Sequence, residues 1–246
     1  MNETLRVLYE RKSVRLFDGR AISEEDKNAI LRAAAEAPTA GNQQLYTIID
    51  VQNEEKRKTL SVLCDNQPFI AKAALVLVFC ADCRKWYNAF RAAGCEPRDV
   101  GVGDLLLAVS DTNIAAENAV IAAESLGISS CYIGDVMERC EQMRELLSLP
   151  PYVFPAAMLV FGYATEKKAR LPKPKRVDMA HVVHTDAYRD MDEDELRKMW
   201  AERAGERGFD EYMRAFCARK YNSEFSREMT RSVGVYLSEY EGNRGK

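Results

Sequence analysis

The sequence predicts one domain in which α-helices and β-strands are interspersed along the chain. Its 246 residues, 47% of them hydrophobic, are enough to bury a substantial single core. Apolar runs with strand character alternate with helical segments as far as residue 162, and a charged helical segment follows from residue 190. Because no repeat or low-complexity linker interrupts this order, we expect a single domain over residues 1–246, with 190–246 as a helical C-terminal extension.

The first part of the chain carries two helix signals and two strand signals. Ser23 and Asp26 have the spacing of a helix N-cap, and Pro38 cannot continue a helix, so residues 26–37 are predicted to be helical. The segments that follow are predicted, in order, as a strand at 45–51, a helix at 54–64 and a buried strand at 73–80.

The longest apolar segment, residues 104–127, is predicted to be a helix that is buried on nearly all sides. Its polar residues recur about every seventh position and leave only a thin polar stripe, and Gly127 marks its end. After it, the sequence predicts a short strand at 131–133, a helix at 136–147, a strand at 156–162 and further helices to about residue 237.

Charge and cysteine content restrict the partners and the compartment that we expect. The net charge of −3 and the pI near 5.7 argue against a nucleic-acid binder, which needs a broad basic face. Polar residues interrupt the apolar tract at 105–126, so we expect no membrane span. An odd number of cysteines, seven, and the lack of a secretory signal predict a reducing cytoplasm.

The common catalytic signatures are missing from the sequence. Gly101 and Gly103 lack the third glycine of a dinucleotide-binding turn, and no phosphate-binding P-loop occurs. The only histidines, His181 and His184, fall in a strand-like segment that would point them to opposite faces. A single C-x-x-C at 80–83, at a strand end and without a second cysteine pair or a histidine at ligand spacing, argues against a structural zinc site or a redox role. No side chain is therefore an obvious catalyst, which is typical of enzymes whose cofactor performs the reaction.

Two basic clusters are the most informative polar features. If residues 11–15 are extended, Arg11, Ser13 and Arg15 point the same way and form a set suited to a phosphate or another oxygen-rich anion. A second cluster, residues 167–176, lies far downstream. The two clusters are either two solvated surfaces or the two sides of one anion site.

Five motifs in order give the chain a family resemblance. They are Arg11–Arg15, Ala37–Gln44, Asn66–Ile70, Cys131–Gly134 and Lys173–Arg176. Together they resemble the flavin-dependent nitroreductase family over most of residues 5–190. The resemblance is greatest to the longer branch of oxygen-insensitive nitroreductases and flavin reductases.

The resemblance implies an α+β fold with a central antiparallel sheet flanked by helices, assembled as an intertwined homodimer with FMN at two interface sites. It also implies an oxidoreductase in which the flavin performs the chemistry and no side chain is catalytic. NADH or NADPH would donate hydride to flavin N5 in a ping-pong scheme, and a nitroaromatic, a quinone or a free flavin would accept the electrons.

The same resemblance assigns roles to individual residues. Arg11 and Ser13 would hold the phosphate or ribityl chain of FMN, Arg15 would place positive charge near the pyrimidine edge, and Gln67 would bond to the polar edge of the ring. It further implies that Thr39 and Asn42 approach the flavin from the partner subunit. The backbone near Tyr132, Ile133 and Gly134 would lie over one flavin face. At the phosphate the candidates are Lys173, Lys175 and Arg176, of which Arg176 is favoured and Lys173 is second.

Two other functional interpretations stay open at this point. A flavin-binding carrier or sensor would hold FMN without turnover, and the charged extension is compatible with such a role. A specialised enzyme of the same fold, such as a dehalogenase, an azoline oxidase or a flavin-fragmenting enzyme, is the other. The aromatic stretch Trp86–Phe90 is either a lid that selects such a substrate or a loop that covers the core.

Overall fold

The computed structural model describes residues 1–241, so the last five positions of the predicted extension lie outside the described residues. The chain divides into two compact units. One comprises Met1–Pro172 together with the chain from Glu228 onward, and the other comprises Lys173–Arg227. The single-domain organisation over residues 1–246 stays a prediction.

A four-stranded sheet forms the centre of the first unit. Its strands are β1 (Tyr46–Asp50), β2 (Leu75–Asp82), β3 (Ser129–Ile133) and β4 (Val153–Gly162). They lie in the order β1-β2-β4-β3, and every neighbouring pair is antiparallel. This confirms the α+β architecture that the resemblance implies, and it places β3 at one edge of the sheet.

Helices cover both faces of this sheet. The helices of the first unit before residue 173 are α1 (Glu3–Glu10), α2 (Glu24–Ala35), α3 (Glu54–Leu63), α4 (Arg84–Ala92), α5 (Val102–Ser125), α6 (Cys140–Leu147) and α7 (Glu166–Ala169). On β2, Val76 and Val78 face a core that includes residues of α3 and α6, whereas Leu77 and Phe79 face a core with α2 and α5. The period of two along the strand therefore divides the apolar residues between two cores.

Helix α5 confirms the long apolar helix that the sequence predicts, but the prediction of burial on nearly all sides is wrong for this chain by itself, because only one side of the helix is buried. It packs against α2 and against the central strands, and the Asp104 carboxylate accepts a hydrogen bond from Gly101 N at 2.8 Å at its start. By length and composition alone, it is the one helix within residues 1–241 that reaches the size and apolarity of a membrane span. Leu106, Leu107 and Ile114 on this helix are exposed.

Three local predictions differ from the structure. The helix predicted at 136–147 is a 3-10 turn at Gly134–Met137 followed by α6, because Arg139 adopts a left-handed conformation (φ 52°) between them. The segment with the two histidines is not a strand, since the Asp178 side chain caps a 3-10 turn at Met179–His181 instead. The stretch Trp86–Phe90 is not a loop but belongs to α4, and its role as a lid stays a prediction.

The predicted helical extension contains α8 (Glu193–Ala204), α9 (Phe209–Lys220) and α10 (Glu224–Ser238). From Glu228 onward, α10 belongs to the first unit. There the Ser232 hydroxyl donates to Met137 O at 2.7 Å and accepts from Cys140 N at 2.9 Å, and Tyr236 is fully buried. This end of the extension therefore completes the core next to the start of α6.

Candidate functional site

The segment with the first basic cluster runs extended beside β3. Ser13 forms a parallel bridge with Ser130, and Val14 N donates to Ser130 O at 2.9 Å. Val14 is only 1% exposed, while its neighbours Ser13 and Arg15 are exposed. The alternation confirms that Val14 anchors the segment in the core and that Ser13 and Arg15 point to the opposite side.

Arg11 carries a buried N–H donor that has no hydrogen-bond partner among the described residues. It follows the last turn of α1, and its guanidinium Nε is buried but has no hydrogen-bond partner within residues 1–241. A buried N–H without a partner costs about 1–3 kcal/mol, and more when the group is charged. Guanidinium groups satisfy this need best with carboxylate or phosphate oxygens. The Nε–H group is therefore available to an acceptor that residues 1–241 do not supply.

Arg11, Ser13 and Arg15, the three predicted anion-binding residues, all influence the pKa of the Cys131 thiol. Cys131 is fully buried at the middle of β3, and this burial raises the pKa of its thiol. The charge of Arg15, a hydrogen bond with Ser13 and the charge of Arg11 all act in the opposite direction on this pKa. Arg11, Ser13 and Arg15 therefore all lie near Cys131 on β3.

Lys12, in the middle of the same cluster, has a different role. Its ammonium group donates to Ala169 O at 2.6 Å and also to Leu171 O. It therefore binds the carbonyl groups at the end of α7, where a cation is favourable. Through these two contacts Lys12 fastens the chain that leaves β4 to the segment at residues 11–15.

The end of β3 supplies the second part of the site. The Tyr132 hydroxyl donates to Glu117 Oε2 at 3.1 Å, and Ile133 is 2% exposed, so both side chains are fixed in the protein. Gly134 is exposed, and a Cβ atom at this position would lie 3.9 Å from Met137 Cε, an ordinary contact. The glycine is therefore not required by packing within the chain. It leaves one backbone surface open to a planar group.

Gln67 is held on a tight turn after α3. Its amide Nε2 donates to Cys64 O at 2.8 Å, and its backbone N donates to Ser61 O at 2.8 Å. Asp65 and Asn66 before it adopt left-handed conformations (φ 58° and 52°). Helix α3 contacts the 3-10 turn that begins at Gly134. Gln67 therefore follows a helix that packs beside the end of β3.

A buried carboxylate on α5 holds the turn with Thr39 and Asn42. Asp111 is 3% exposed and accepts hydrogen bonds from Thr39 Oγ1, from Ala40 N at 3.0 Å and from Leu45 N at 3.4 Å. The turn itself needs left-handed backbone at Gly41 and Asn42 (φ 55° and 57°), and Asn42 is exposed. Sequence reasoning missed Asp111, whose only signal was a polar residue in an otherwise apolar helix.

Replacing Asp111 tests this support. We expect Asp111→Asn to lower the free energy of unfolding by about 2 kcal/mol, because charge-assisted hydrogen bonds to buried N–H groups are lost. At this chain length that corresponds to about 4–8 °C in Tm, measured by thermal denaturation. The matched control is Asp210→Asn, which removes only an exposed ion pair with Arg197 and should change Tm by about 1 °C or less. Equal melting of the two variants would refute the supporting role.

Glu138 is a second buried carboxyl group that the sequence did not reveal. It is 5% exposed, directly after the Gly134–Met137 turn, and its Oε1 has no hydrogen-bond partner among the described residues. Burial, together with the negative charges of Asp135 and Asp65 and against the opposing charge of Arg139, raises the pKa of Glu138 to about 7. The carboxyl group is therefore largely protonated below neutral pH.

The raised pKa makes stability depend on pH. Because the folded state binds the proton of Glu138 more tightly than the unfolded chain does, ionisation removes stability as the pH rises from about 4.5 to about 7. We expect Tm to fall between pH 5.5 and 8 by about 4–8 °C more in the wild type than in Glu138→Gln, which corresponds to about 2 kcal/mol. Differential scanning calorimetry at both pH values measures this. Parallel curves for the two proteins would contradict the assignment.

The second basic segment lies in the other compact unit. The Lys175 ammonium pairs with Glu202, and Lys175 O accepts from Arg203 Nη2 at 3.1 Å. Arg176 is exposed, and Lys173 is half-buried. Because these residues belong to Lys173–Arg227, their convergence with Arg11 on one phosphate stays a prediction.

The C-x-x-C pair consists of two buried thiols. Burial raises the pKa of Cys80 and of Cys83 to about 12 each, so neither is a thiolate at neutral pH. Within residues 1–241 no group of three or more histidine, cysteine, aspartate or glutamate side chains is arranged to hold a metal ion.

The structure defines an α+β protein with an extended, arginine-containing segment along the edge strand of an antiparallel sheet. Comparison with known families gives this class its name. The Nitroreductase family profile matches residues 8–163, which is more than half of the chain. The chain therefore belongs to the nitroreductase family, and the resemblance carried by its motifs is confirmed.

Individual relatives cover nearly all of the chain. The FMN reductase [NAD(P)H] of Bacillus subtilis is 31% identical over 96% of this chain and 91% of its own length. The oxygen-insensitive NADPH nitroreductase of Salmonella typhimurium is 32% identical over 78% of each chain. Among solved structures, NfrA2 of B. megaterium superposes with a TM-score of 0.78 at 32% identity, over 99% of this chain and 95% of that one.

Proposed function

We propose that this protein is an FMN-dependent NAD(P)H oxidoreductase that reduces nitroaromatic, quinone or flavin acceptors. The names of its relatives, FMN reductase and NADPH nitroreductase, support this activity. The observation that carries the proposal is the buried Arg11 Nε without a partner in the described part of the chain, on the side of β3 where Ser13 and Arg15 also lie.

The donors at this place fit the phosphate of FMN. Arg11 offers a planar fork of N–H groups, and Ser13 adds a hydroxyl group on the same side. Ser130, bridged to Ser13, is 1% exposed, and its Oγ also lacks a partner within residues 1–241. Two buried polar atoms on adjoining backbone segments are thus available to oxygen ligands that the chain itself does not provide.

The remaining residues have defined tasks around the ring of the flavin. Arg15 would place positive charge at the pyrimidine edge, and Gln67, fixed by its bond to Cys64 O, would bond to a polar edge of the ring. The backbone at Tyr132, Ile133 and Gly134 would lie against one face and leave the other face to the substrates. When bound, FMN would take hydride from NADH or NADPH and pass two electrons to the acceptor in a ping-pong cycle. Protons come from solvent, so no acid–base side chain is required.

We also propose that the site is completed in a homodimer. The exposed Leu106, Leu107 and Ile114 of α5 need cover that a partner subunit would supply. Thr39 and Asn42 of that partner would then approach the flavin, on the turn that Asp111 holds. At the phosphate we favour Arg176 over Lys175, because the Lys175 ammonium is already paired with Glu202, and we rank Lys173 second. All seven cysteines are free thiols, which supports a cytoplasmic location.

Anaerobic reduction tests the proposed function. We expect the purified protein to be yellow and dimeric, and NADPH or NADH to bleach the flavin absorbance within seconds in a stopped-flow experiment. Comparing the two donors gives the nicotinamide preference. Persistent colour with both donors would favour the carrier or sensor interpretation. A colourless, monomeric protein that does not take up FMN would overturn the proposal.

A further inference from the structure

One face of the last helix, α10, packs onto the first unit. Glu228, Ser232 and Tyr236 recur at every fourth position, so they lie along the same face of the helix. Ser232 and Tyr236 are 0% exposed, and the Tyr236 ring meets the Phe154 ring of β4 edge-on, with centroids 5.0 Å apart at 84°. This part of α10 is therefore anchored to a central strand of the sheet.

The residue that follows α10 fixes the helix against sliding. The Glu239 carboxylate accepts a hydrogen bond from Arg144 Nη1 of α6 at 2.6 Å and another from Tyr152 N at 3.3 Å. The Arg144 guanidinium also lies over the Tyr236 ring, 4.7 Å from its centroid. The position of Ser232, one turn before Tyr236, is therefore set by contacts with α6 and β4.

Ser232 binds a short backbone segment that joins two helical elements. We call this segment, Met137–Cys140, the α6 link, because it runs from the end of the 3-10 turn that begins at Gly134 to the start of α6. The Ser232 hydroxyl donates to Met137 O at 2.7 Å and accepts from Cys140 N at 2.9 Å. One buried hydroxyl group thus connects both ends of the link.

The α6 link depends on this support because its backbone is strained. Arg139 is in the left-handed conformation (φ 52°, ψ 51°), which is unfavourable for a residue other than glycine and persists only where the surrounding contacts impose it. Glu228 Oε1 accepts from Arg139 N at 3.2 Å, so a second side chain of α10 holds the same link. Hydrogen bonds from Arg231 and from Arg139 N lower the pKa of Glu228, which keeps it an ionised acceptor.

We propose that Ser232 and Glu228 are positioning residues for the flavin ring, which act through the α6 link on the backbone at Gly134. The turn that begins at Gly134 is continuous with the link, and the open backbone of Gly134 would lie against the ring. The C-terminal extension thereby takes part in the flavin site. The inference rests on the proposed function for the place of the ring beside Gly134.

Visible circular dichroism and stopped-flow reduction of the FMN-loaded protein test this role. Ser232→Ala removes the hydroxyl that connects the ends of the α6 link. We expect the visible dichroism of the bound oxidised flavin to change, because it reports the surroundings of the ring. The limiting rate of flavin reduction at saturating NADPH should fall about fivefold, since small misplacements of reacting groups slow a reaction steeply. The Kd for FMN should stay within about twofold of the wild type, because Arg11 binds the phosphate.

Two variants of Glu228 give an independent measurement. Both Glu228→Ala and Glu228→Gln remove the charge and the ion pair with Arg231, but only glutamine keeps a side-chain oxygen for Arg139 N. We expect Glu228→Ala to lower the limiting rate about threefold and Glu228→Gln to restore most of it. Equal rates in the two variants would remove Glu228 from the positioning role.

Thr47→Val is the control for a loss of stability alone. Thr47 lies on β1, at the opposite edge of the sheet from β3, and its hydroxyl donates to Asp82 Oδ2 at 2.6 Å. Loss of this hydrogen bond should lower Tm by about 2–4 °C, as Ser232→Ala does. The flavin dichroism and the limiting rate should nevertheless match the wild type.

The outcomes separate this inference from the proposed function. If NADPH bleaches the wild-type flavin, and Ser232→Ala lowers Tm but changes neither the dichroism nor the limiting rate, α10 only stabilises the fold; the inference fails and the reductase proposal stands. If Thr47→Val changes the flavin signals as much as Ser232→Ala does, the effect is general and the inference also fails. If neither nicotinamide bleaches the wild-type flavin, the proposed function fails, and the dichroism of Ser232→Ala alone decides the positioning role.

Discussion

Arg11→Met is expected to release FMN from the protein. Methionine keeps the unbranched apolar stem but removes the buried Nε–H and the rest of the guanidinium fork. A hydrogen bond from a charged group contributes about 1.5–3 kcal/mol, so the Kd for FMN should rise about 10- to 100-fold. Quenching of FMN fluorescence during titration of the apoprotein measures this directly.

Arg6→Met is the matched control for this change. Arg6 lies on α1, a short distance before Arg11, and pairs only on the surface, with Glu3 and Glu10. Its loss should leave the Kd for FMN within about twofold, since exposed ion pairs contribute little. If Arg11→Met bound FMN as tightly as Arg6→Met, the orphaned Nε would have another explanation and the phosphate site would lie elsewhere.

Arg15→Met is expected to lower the reduction potential of the bound flavin and to slow turnover. A fixed cation near the ring favours the negative charge that the ring gains on reduction. Loss of about 1–3 kcal/mol of this differential stabilisation corresponds to about 20–60 mV for a two-electron couple. Spectroelectrochemical titration of the loaded protein gives the potential, and stopped-flow absorbance gives the rate of reduction by NADPH.

Arg20→Met separates a local effect of Arg15 from a general loss of positive charge. Arg20 lies in the same N-terminal part of the chain, but its guanidinium stacks on the Tyr163 ring at 4.0 Å and pairs with Asp18. Its potential should match the wild type within about 10 mV. An unchanged potential in Arg15→Met, with flavin still bound, would remove Arg15 from the ring.

Most of the fold could be predicted from sequence patterns in which apolar residues recur with a regular period. The apolar runs at β2 and β4 follow from burial on both faces of the sheet, and residue type indicates burial directly. The apolar sequence of α5 predicts a helix, although one side of that helix stays exposed. The position of Arg11, Ser13 and Arg15 on one side follows from the period of two in an extended segment, with Val14 as the buried residue between them.

What the sequence did not reveal depends on single backbone angles or on distant partners. The interruption between the Gly134–Met137 turn and α6 depends on left-handed backbone at Arg139, a residue type that does not signal it. Asp111 has meaning only through Thr39 and Ala40, which lie about 70 residues earlier in the chain. Glu138 became prominent only because the fold buries it. Such tertiary contacts cannot be predicted from local sequence patterns.

The hydrogen bonds of Ser232 with Met137 O and Cys140 N attach the C-terminal part of α10 to the first unit. Lys173–Arg227 leaves the first unit after Pro172 and re-enters it at Glu228, so this segment is an insertion tethered at both ends. Closing a loop costs only slightly more entropy as the loop lengthens. Evolution and protein engineers can therefore shorten, lengthen or exchange this insertion, and with it Lys173, Lys175 and Arg176, while the scaffold around Arg11 stays assembled.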